Sequence, residues 1–102
     1  MNSERELVKQ QYGTLFDKIS AVIFHHDPIG INFEDNTDEY EPEVRTILPR
    51  LEGMHSEAEV LEMIYTEFVG WFDEGTAGPK SRYKEVAREI WVLWQDYRRS
   101  SP

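Results

Sequence analysis

The sequence predicts an all-α fold, a small antiparallel four-helix bundle with a long ordered loop between helices one and two. Apolar residues recur at spacings of three and four in four segments, and turn-forming residues separate these segments. No internal repeat competes with that pattern. Because 102 residues with 39 % apolar and 13 % aromatic content suit one core, we expect residues 1–102 to form a single helical domain.

The first predicted helix spans residues 4–25. Its apolar stripe consists of Val8, Tyr12, Leu15, Ile19 and Val22. Gly13 lies inside the stripe, where glycine weakens a helix only slightly. Pro28 disfavours the helical conformation at Asp27, so the helix should end there.

The second predicted helix is the shortest. Pro42 suits its first turn, and the acids in residues 38–43 suit the positive end of its dipole. Its apolar face consists of Val44, Ile47, Leu48 and Leu51. Because Pro49 lacks an N–H group and crowds the preceding turn, we expect a kink or break near it. Gly53 should end the helix.

Two further helices complete the predicted bundle. Ser56 and Glu59 form a capping-box pattern that starts the third helix, and His55 flanks this cap. The apolar face of the third helix consists of Leu61, Ile64, Tyr65, Phe68, Trp71 and Phe72. Residues 74–79 predict a glycine and proline loop. The fourth helix carries Tyr83, Val86, Ala87, Ile90, Leu93, Trp94 and Tyr97, and the helical spacing of Trp71, Trp91 and Trp94 favours a core over a ligand pocket.

The connection between the first two helices is unusually long, at roughly 12 residues, and connections of this length are often functional. Residues 25–43 hold seven carboxylates and no Lys or Arg. Ile29, Ile31 and Phe33 alternate with small or polar residues, so one edge can pack on the bundle while the acids face water. Two interpretations stay open: a lid over the core, and a specialised recognition surface.

Charge is distributed unevenly around a net value of −9. Residues 27–79 hold fourteen Asp and Glu against two Arg, whereas residues 80–99 hold six basic residues against three acids. A field of this sign disfavours nucleic acid and anionic membranes, and it favours basic partners and divalent cations. The other explanation of the acidic charge is that it serves only solubility. With no Cys and no apolar run near the roughly 18 residues of a membrane span, we expect a cytoplasmic protein.

Metal binding and catalysis are both weakly supported. The candidate ligands are His25, His26 and Asp27, with Glu34, Asp35, Asp38 and Glu39 as further oxygen donors. Adjacent helical residues point about 100° apart, and an EF-hand starting at Asp35 fails because Tyr40 replaces its glycine. No nucleophile with an evident base or phosphate-binding glycine loop is present. We therefore expect no cofactor and no enzymatic activity.

Part of the sequence resembles a family of small uncharacterised bacterial proteins, a domain of unknown function. The shared signature is Asp27-Pro28-Ile29-Gly30 followed by Asp38-Glu39-Tyr40 and Pro42, with further similarity at residues 68–72 and 90–91. The resemblance implies a helical fold, and it assigns no catalytic role to any residue. It also implies that Asp27, Gly30, Asp38, Glu39 and Tyr40 matter together.

The leading hypothesis is a non-catalytic interaction module that binds a basic protein. Its expected contact residues are Asp38, Glu39, Tyr40, Asp27, Glu34 and Asp35, together with the acids of the third helix. Bacterial immunity proteins that inhibit nuclease toxins are similar in physical type, being small, acidic and helical. The alternatives are a divalent-metal-binding protein or metal-dependent enzyme that uses residues 25–43, and a structural homo-oligomer held by opposite charges.

Overall fold

The structure is a computed structural model that describes residues 4–26 and 41–100. These residues form six α-helices and one 3₁₀ helix, without a strand among them. The helices are α1 (Glu4–Tyr12), α2 (Thr14–His26), α3 (Glu41–Leu51), α4 (Glu57–Trp71), α5 (Glu74–Ala77), the 3₁₀ helix (Lys80–Tyr83) and α6 (Lys84–Ser100). The all-α prediction is confirmed. The helix count differs from the predicted four, and most of the predicted long loop lies outside the described residues.

Gly13 divides the predicted first helix into α1 and α2. Its φ of +59° lies in the left-handed region that glycine adopts most readily. The Phe16 amide donates to the Gly13 carbonyl at 3.2 Å, which starts the second helix. The prediction of one helix over residues 4–25 is therefore wrong. The apolar stripe nevertheless continues across the bend, because Tyr12 and Leu15 are both buried.

Helix α3 runs through Pro49 to Leu51, so the chain does not break at the proline itself. The proline lies two residues before the end of the helix, where one missing backbone donor disturbs little of the helix. The chain then turns through two amide bonds, from Gly53 to Arg50 at 3.2 Å and from Met54 to Leu51 at 2.9 Å. This turn places the end of α3 beside the start of α4.

The predicted cap of α4 is confirmed. Ser56 Oγ accepts from the Glu59 amide at 3.2 Å, and Glu59 Oε1 accepts from the His55 amide at 2.6 Å. His55 therefore flanks the cap, as expected. Beyond α4, residues 74–79 contain the one-turn helix α5, where only an irregular loop was predicted. The Asp73 carboxylate caps α5 by accepting from the Thr76 amide at 2.7 Å.

The core lies where α6 packs against α2 and α4, and where α3 packs against α1, α2 and α4. Its largest fully buried side chains are Tyr83, Phe16, Phe68, Ile19, Ile23, Ile47, Leu48, Leu51, Ile64, Ile90 and Val44. Trp94 is buried in this core and Trp91 packs against it, as predicted. Trp71 differs, because 41 % of it is exposed and its Nε1 donates to Thr46 Oγ1 at 3.2 Å on the surface.

Candidate protein-binding surface

The residues that the sequence places in the recognition loop lie outside the described part of the chain. They are Asp27, Glu34, Asp35, Asp38, Glu39 and Tyr40. Their role in partner binding therefore stays a prediction. The described structure begins again at α3 and contains the remaining acids that the sequence assigns to recognition, those of α4.

The two histidines at the end of α2 contact each other and α6. His26 Nε2 lies 2.6 Å from Glu89 Oε2 on α6, so this imidazole is already hydrogen-bonded. The ring of His25 meets that of His26 edge to face, with 5.6 Å between their centroids. Within residues 4–26 and 41–100, no three His, Cys, Asp or Glu side chains are grouped as metal ligands.

The most acidic described segment is residues 51–79, which hold seven carboxylates and no Lys or Arg. They are Glu52, Glu57, Glu59, Glu62, Glu67, Asp73 and Glu74. Three of them accept hydrogen bonds from backbone amides or from a tyrosine hydroxyl. Glu59 and Asp73 cap helices, and Glu52 accepts a hydrogen bond from the Tyr12 hydroxyl. Burial raises the pKa of the Tyr12 phenol most, and the hydrogen bond to Glu52 raises it further.

Two cations from the flanking segments reach into this acidic surface. Arg50 from α3 pairs with Glu67, and Lys80 from the 3₁₀ helix pairs with Glu62. The Lys80 and Glu62 side chains are 44 % and 60 % exposed, and Arg50 is 48 % exposed. An ion pair as exposed as that of Lys80 and Glu62 stabilises a fold by only about 0 to 1 kcal/mol, because water screens both charges. Glu67 is only 16 % exposed, so water screens its pair with Arg50 less. Lys80 can therefore leave Glu62 at little cost.

A shallow groove of about 420 Å³ lies beside these ion pairs, between the end of α3 and one face of α4. It is lined by Arg50, Met54, Ala58, Glu59, Glu62, Met63 and Thr66. Met54 is partly buried and Met63 is buried, so thioether and methyl groups form the floor, with charged side chains at the rim. Sequence reasoning missed this groove, because Met54 lies in a turn and belongs to no periodic stripe.

One carboxylate is buried away from this surface. Glu43, in the first turn of α3, is 5 % exposed, and its Oε1 atom has no hydrogen-bond partner among the described residues. Burial raises the pKa of this carboxyl group above its ordinary value. A buried carboxylate of this kind affects the stability of the fold.

Comparison with known proteins assigns no function to this chain. No protein-family model, curated protein or solved structure matches this sequence. The resemblance to the bacterial family therefore stays a prediction. Among the described helices, none is long and apolar enough to cross a membrane.

Proposed function

We propose that this chain is a non-catalytic acidic module that binds a basic protein partner in the bacterial cytoplasm. The observation that carries the proposal is the surface formed by residues 51–79, where seven carboxylates occur without a Lys or Arg. In the proposal an antiparallel four-helix framework presents this surface, and the loop between its first two helices extends it. That loop contributes Asp27, Glu34, Asp35, Asp38, Glu39 and Tyr40.

Electrostatic steering supports this function physically. A predominantly acidic surface raises the local concentration of a basic protein and speeds its association, and salt weakens the effect. Tyr40 supplies the type of side chain that anchors interfaces, because tyrosine combines a rigid apolar ring with a polar hydroxyl group. An inhibitor of a basic nuclease, as in bacterial immunity proteins, is the most concrete form of this function.

The proposal is tested by affinity capture from the native host at low and high salt. The bait is the wild-type chain beside a variant carrying Asp38→Ala, Glu39→Ala and Tyr40→Ala, with both folds checked by circular dichroism. We expect a basic protein to bind the wild-type bait, to bind the variant weakly and to dissociate as salt rises. Recovery of acidic proteins only, or of no protein, would contradict the proposal. Equal recovery of a basic protein by both baits would show that Asp38, Glu39 and Tyr40 do not contribute to binding. Unfolding of the variant would show that these three residues are structural.

A further inference from the structure

The groove between α3 and α4 combines an apolar floor with a charged rim. The floor is formed by Met54, Ala58 and Met63, and the rim carries Glu59, Glu62 and Arg50. We propose that this groove binds the apolar face of a cationic amphipathic helix from the partner, while the carboxylates of α4 pair with that helix's Lys or Arg side chains. This inference rests on the proposed function. It adds where on this chain the partner binds and which type of segment the partner uses.

The floor suits a helix whose exact side chains vary. Methionine is unbranched and polarizable, so it adapts to apolar groups of different shapes. Ala58 adds little bulk, which leaves the two methionines to define the depth of the groove. The lining residues on α4 run from Ala58 to Thr66, about 12 Å along the axis at 1.5 Å per residue. That length accommodates two turns of a bound helix, with apolar anchors at positions i, i+4 and i+7.

The rim favours positive charge, because Glu59 and Glu62 outnumber Arg50 in the lining of the groove. Along α4 the acids are Glu57, Glu59, Glu62 and Glu67, and this helix contains no Lys or Arg. The cations that reach these acids, Arg50 and Lys80, come from other elements and are well exposed. Lys80 pairs with Glu62 at the rim, where a partner's ammonium or guanidinium group would bind. Lys80 is therefore an internal competitor of the partner.

This competition predicts opposite effects for the two members of one ion pair. Glu62→Gln removes the carboxylate and should weaken binding of a cationic helix by about three- to fivefold, the worth of one exposed pair. Lys80→Met removes the competitor and should strengthen binding by a similar factor of about three. A purely structural role of the pair would give the two variants effects of the same sign. Glu85→Gln is the matched control, because Glu85 on α6 is 65 % exposed and pairs with Arg88 at 3.7 Å.

The test uses methionine-methyl NMR with designed peptides. Two of the chain's three methionines line the groove, so ¹³C-methyl labelling reports on it directly, with Met54→Leu and Met63→Leu for assignment. The probe is a peptide of Leu and Lys that forms an amphipathic helix. The control peptides replace all Lys by Glu, or all Leu by Gln. We expect only the Leu and Lys peptide to shift both methyl resonances, with an affinity that falls as salt rises.

Each contrary outcome separates this inference from the proposed function. Salt-sensitive binding of the Leu and Lys peptide without a change at Met54 or Met63 would overturn the groove but keep an acidic binding surface. Equal shifts with the peptide that carries Glu in place of Lys would show that the charged rim does not select the ligand. Equal shifts with the peptide that carries Gln in place of Leu would show the same for the apolar floor. Either result would overturn the inference. Absence of any shift at millimolar peptide would also overturn it, while the affinity capture decides the proposed function separately. If Glu62→Gln and Lys80→Met both weaken binding, Lys80 does not compete with the partner.

Discussion

Substitution of Gly13 by alanine tests why the chain bends between α1 and α2. The φ of +59° at Gly13 is costly for any residue with a Cβ, although a Cβ there would meet no atom within 4 Å. The substitution therefore isolates backbone strain from steric overlap. The variant has two options: it can keep the bend and accept the strain, or straighten residues 4–26 into one helix.

The packing of Tyr12 decides between these options. Keeping the bend costs about 1 to 2 kcal/mol, the penalty for a non-glycine residue in the left-handed region. Straightening would pull α1 away from α3 and expose Tyr12, which is 4 % exposed and lies 6.3 Å from the Trp94 ring, centroid to centroid. Exposure of one large buried side chain costs about 2 kcal/mol, before its hydrogen bond to Glu52 is counted. The bend should persist, and Gly13→Ala should destabilise the fold by about 1 to 2 kcal/mol.

Gly70→Ala is the matched control for this substitution. Gly70 lies inside α4 and is exposed, and a Cβ added to it would meet no atom within 4 Å. Alanine should stabilise the fold there by about 0.5 to 1 kcal/mol, because glycine loses more conformational entropy in a helix. Urea unfolding followed by far-ultraviolet circular dichroism and tryptophan fluorescence measures both changes. A change of about 1 kcal/mol shifts Tm by about 4 to 8 °C in a domain of this size.

A gain of helical signal in Gly13→Ala with no loss of stability would contradict this expectation. That outcome would mean that the chain straightens without penalty and that packing of Tyr12 does not hold the bend. Gly13→Asn gives a second check, since asparagine tolerates the left-handed region better than alanine does. Its loss of stability should therefore be the smaller of the two.

Three further substitutions test the core and a cap by the same unfolding measurements. Glu43→Gln should stabilise the fold at neutral pH by about 1 kcal/mol, because it removes a buried charge. Since burial raises the pKa of Glu43, the wild-type chain loses stability as pH rises through the range between the unfolded and folded values, and the variant should lack this loss. Tyr83→Phe should cost about 1 kcal/mol, because the Tyr83 hydroxyl donates to the buried Ala77 carbonyl at 2.6 Å. Burial raises the pKa of Tyr83 to about 12, so wild-type stability should fall as pH rises above tyrosine's ordinary value of about 10, and this contribution should be absent from the variant. Ser56→Ala should cost about 1 kcal/mol through loss of the α4 cap, and no change would show that the cap bond is not stabilising.

Periodicity predicted which segments are helical better than it predicted where they bend. The stripe from Val8 to Val22 is continuous in sequence, and nothing in it distinguishes a glycine that weakens a helix from one with a positive φ. That distinction depends on the packing of Tyr12 against α6, which is a tertiary contact. Pro49 shows the opposite case. Its local cost suggested a kink or break near it, and α3 continues past it to Leu51, which is fully buried.

The acidic character of the candidate surface followed from composition, but its pairings did not. Lys80 and Glu62 are eighteen positions apart in the sequence, and Arg50 and Glu67 seventeen. These pairs form because residues 80–83 and the end of α3 both lie beside α4. Met54 and Met63 come together for the same reason, since the turn after α3 carries Met54 towards α4. Spacing within one helix contains no information about such contacts.

The two ion pairs also set limits on what charge can do in the proposed complex. A partner's cation that displaces Lys80 from Glu62 exchanges one exposed pair for another, and each is worth only about 0 to 1 kcal/mol. Charge therefore speeds the approach of a basic partner but adds little to the lifetime of the complex. The lifetime must come from apolar contact, and among the groove's lining residues that contact is supplied by Met54, Met63 and Ala58. An acidic surface without this floor would attract many basic proteins, whereas in the proposed complex the groove would restrict stable binding to segments that also present an apolar face.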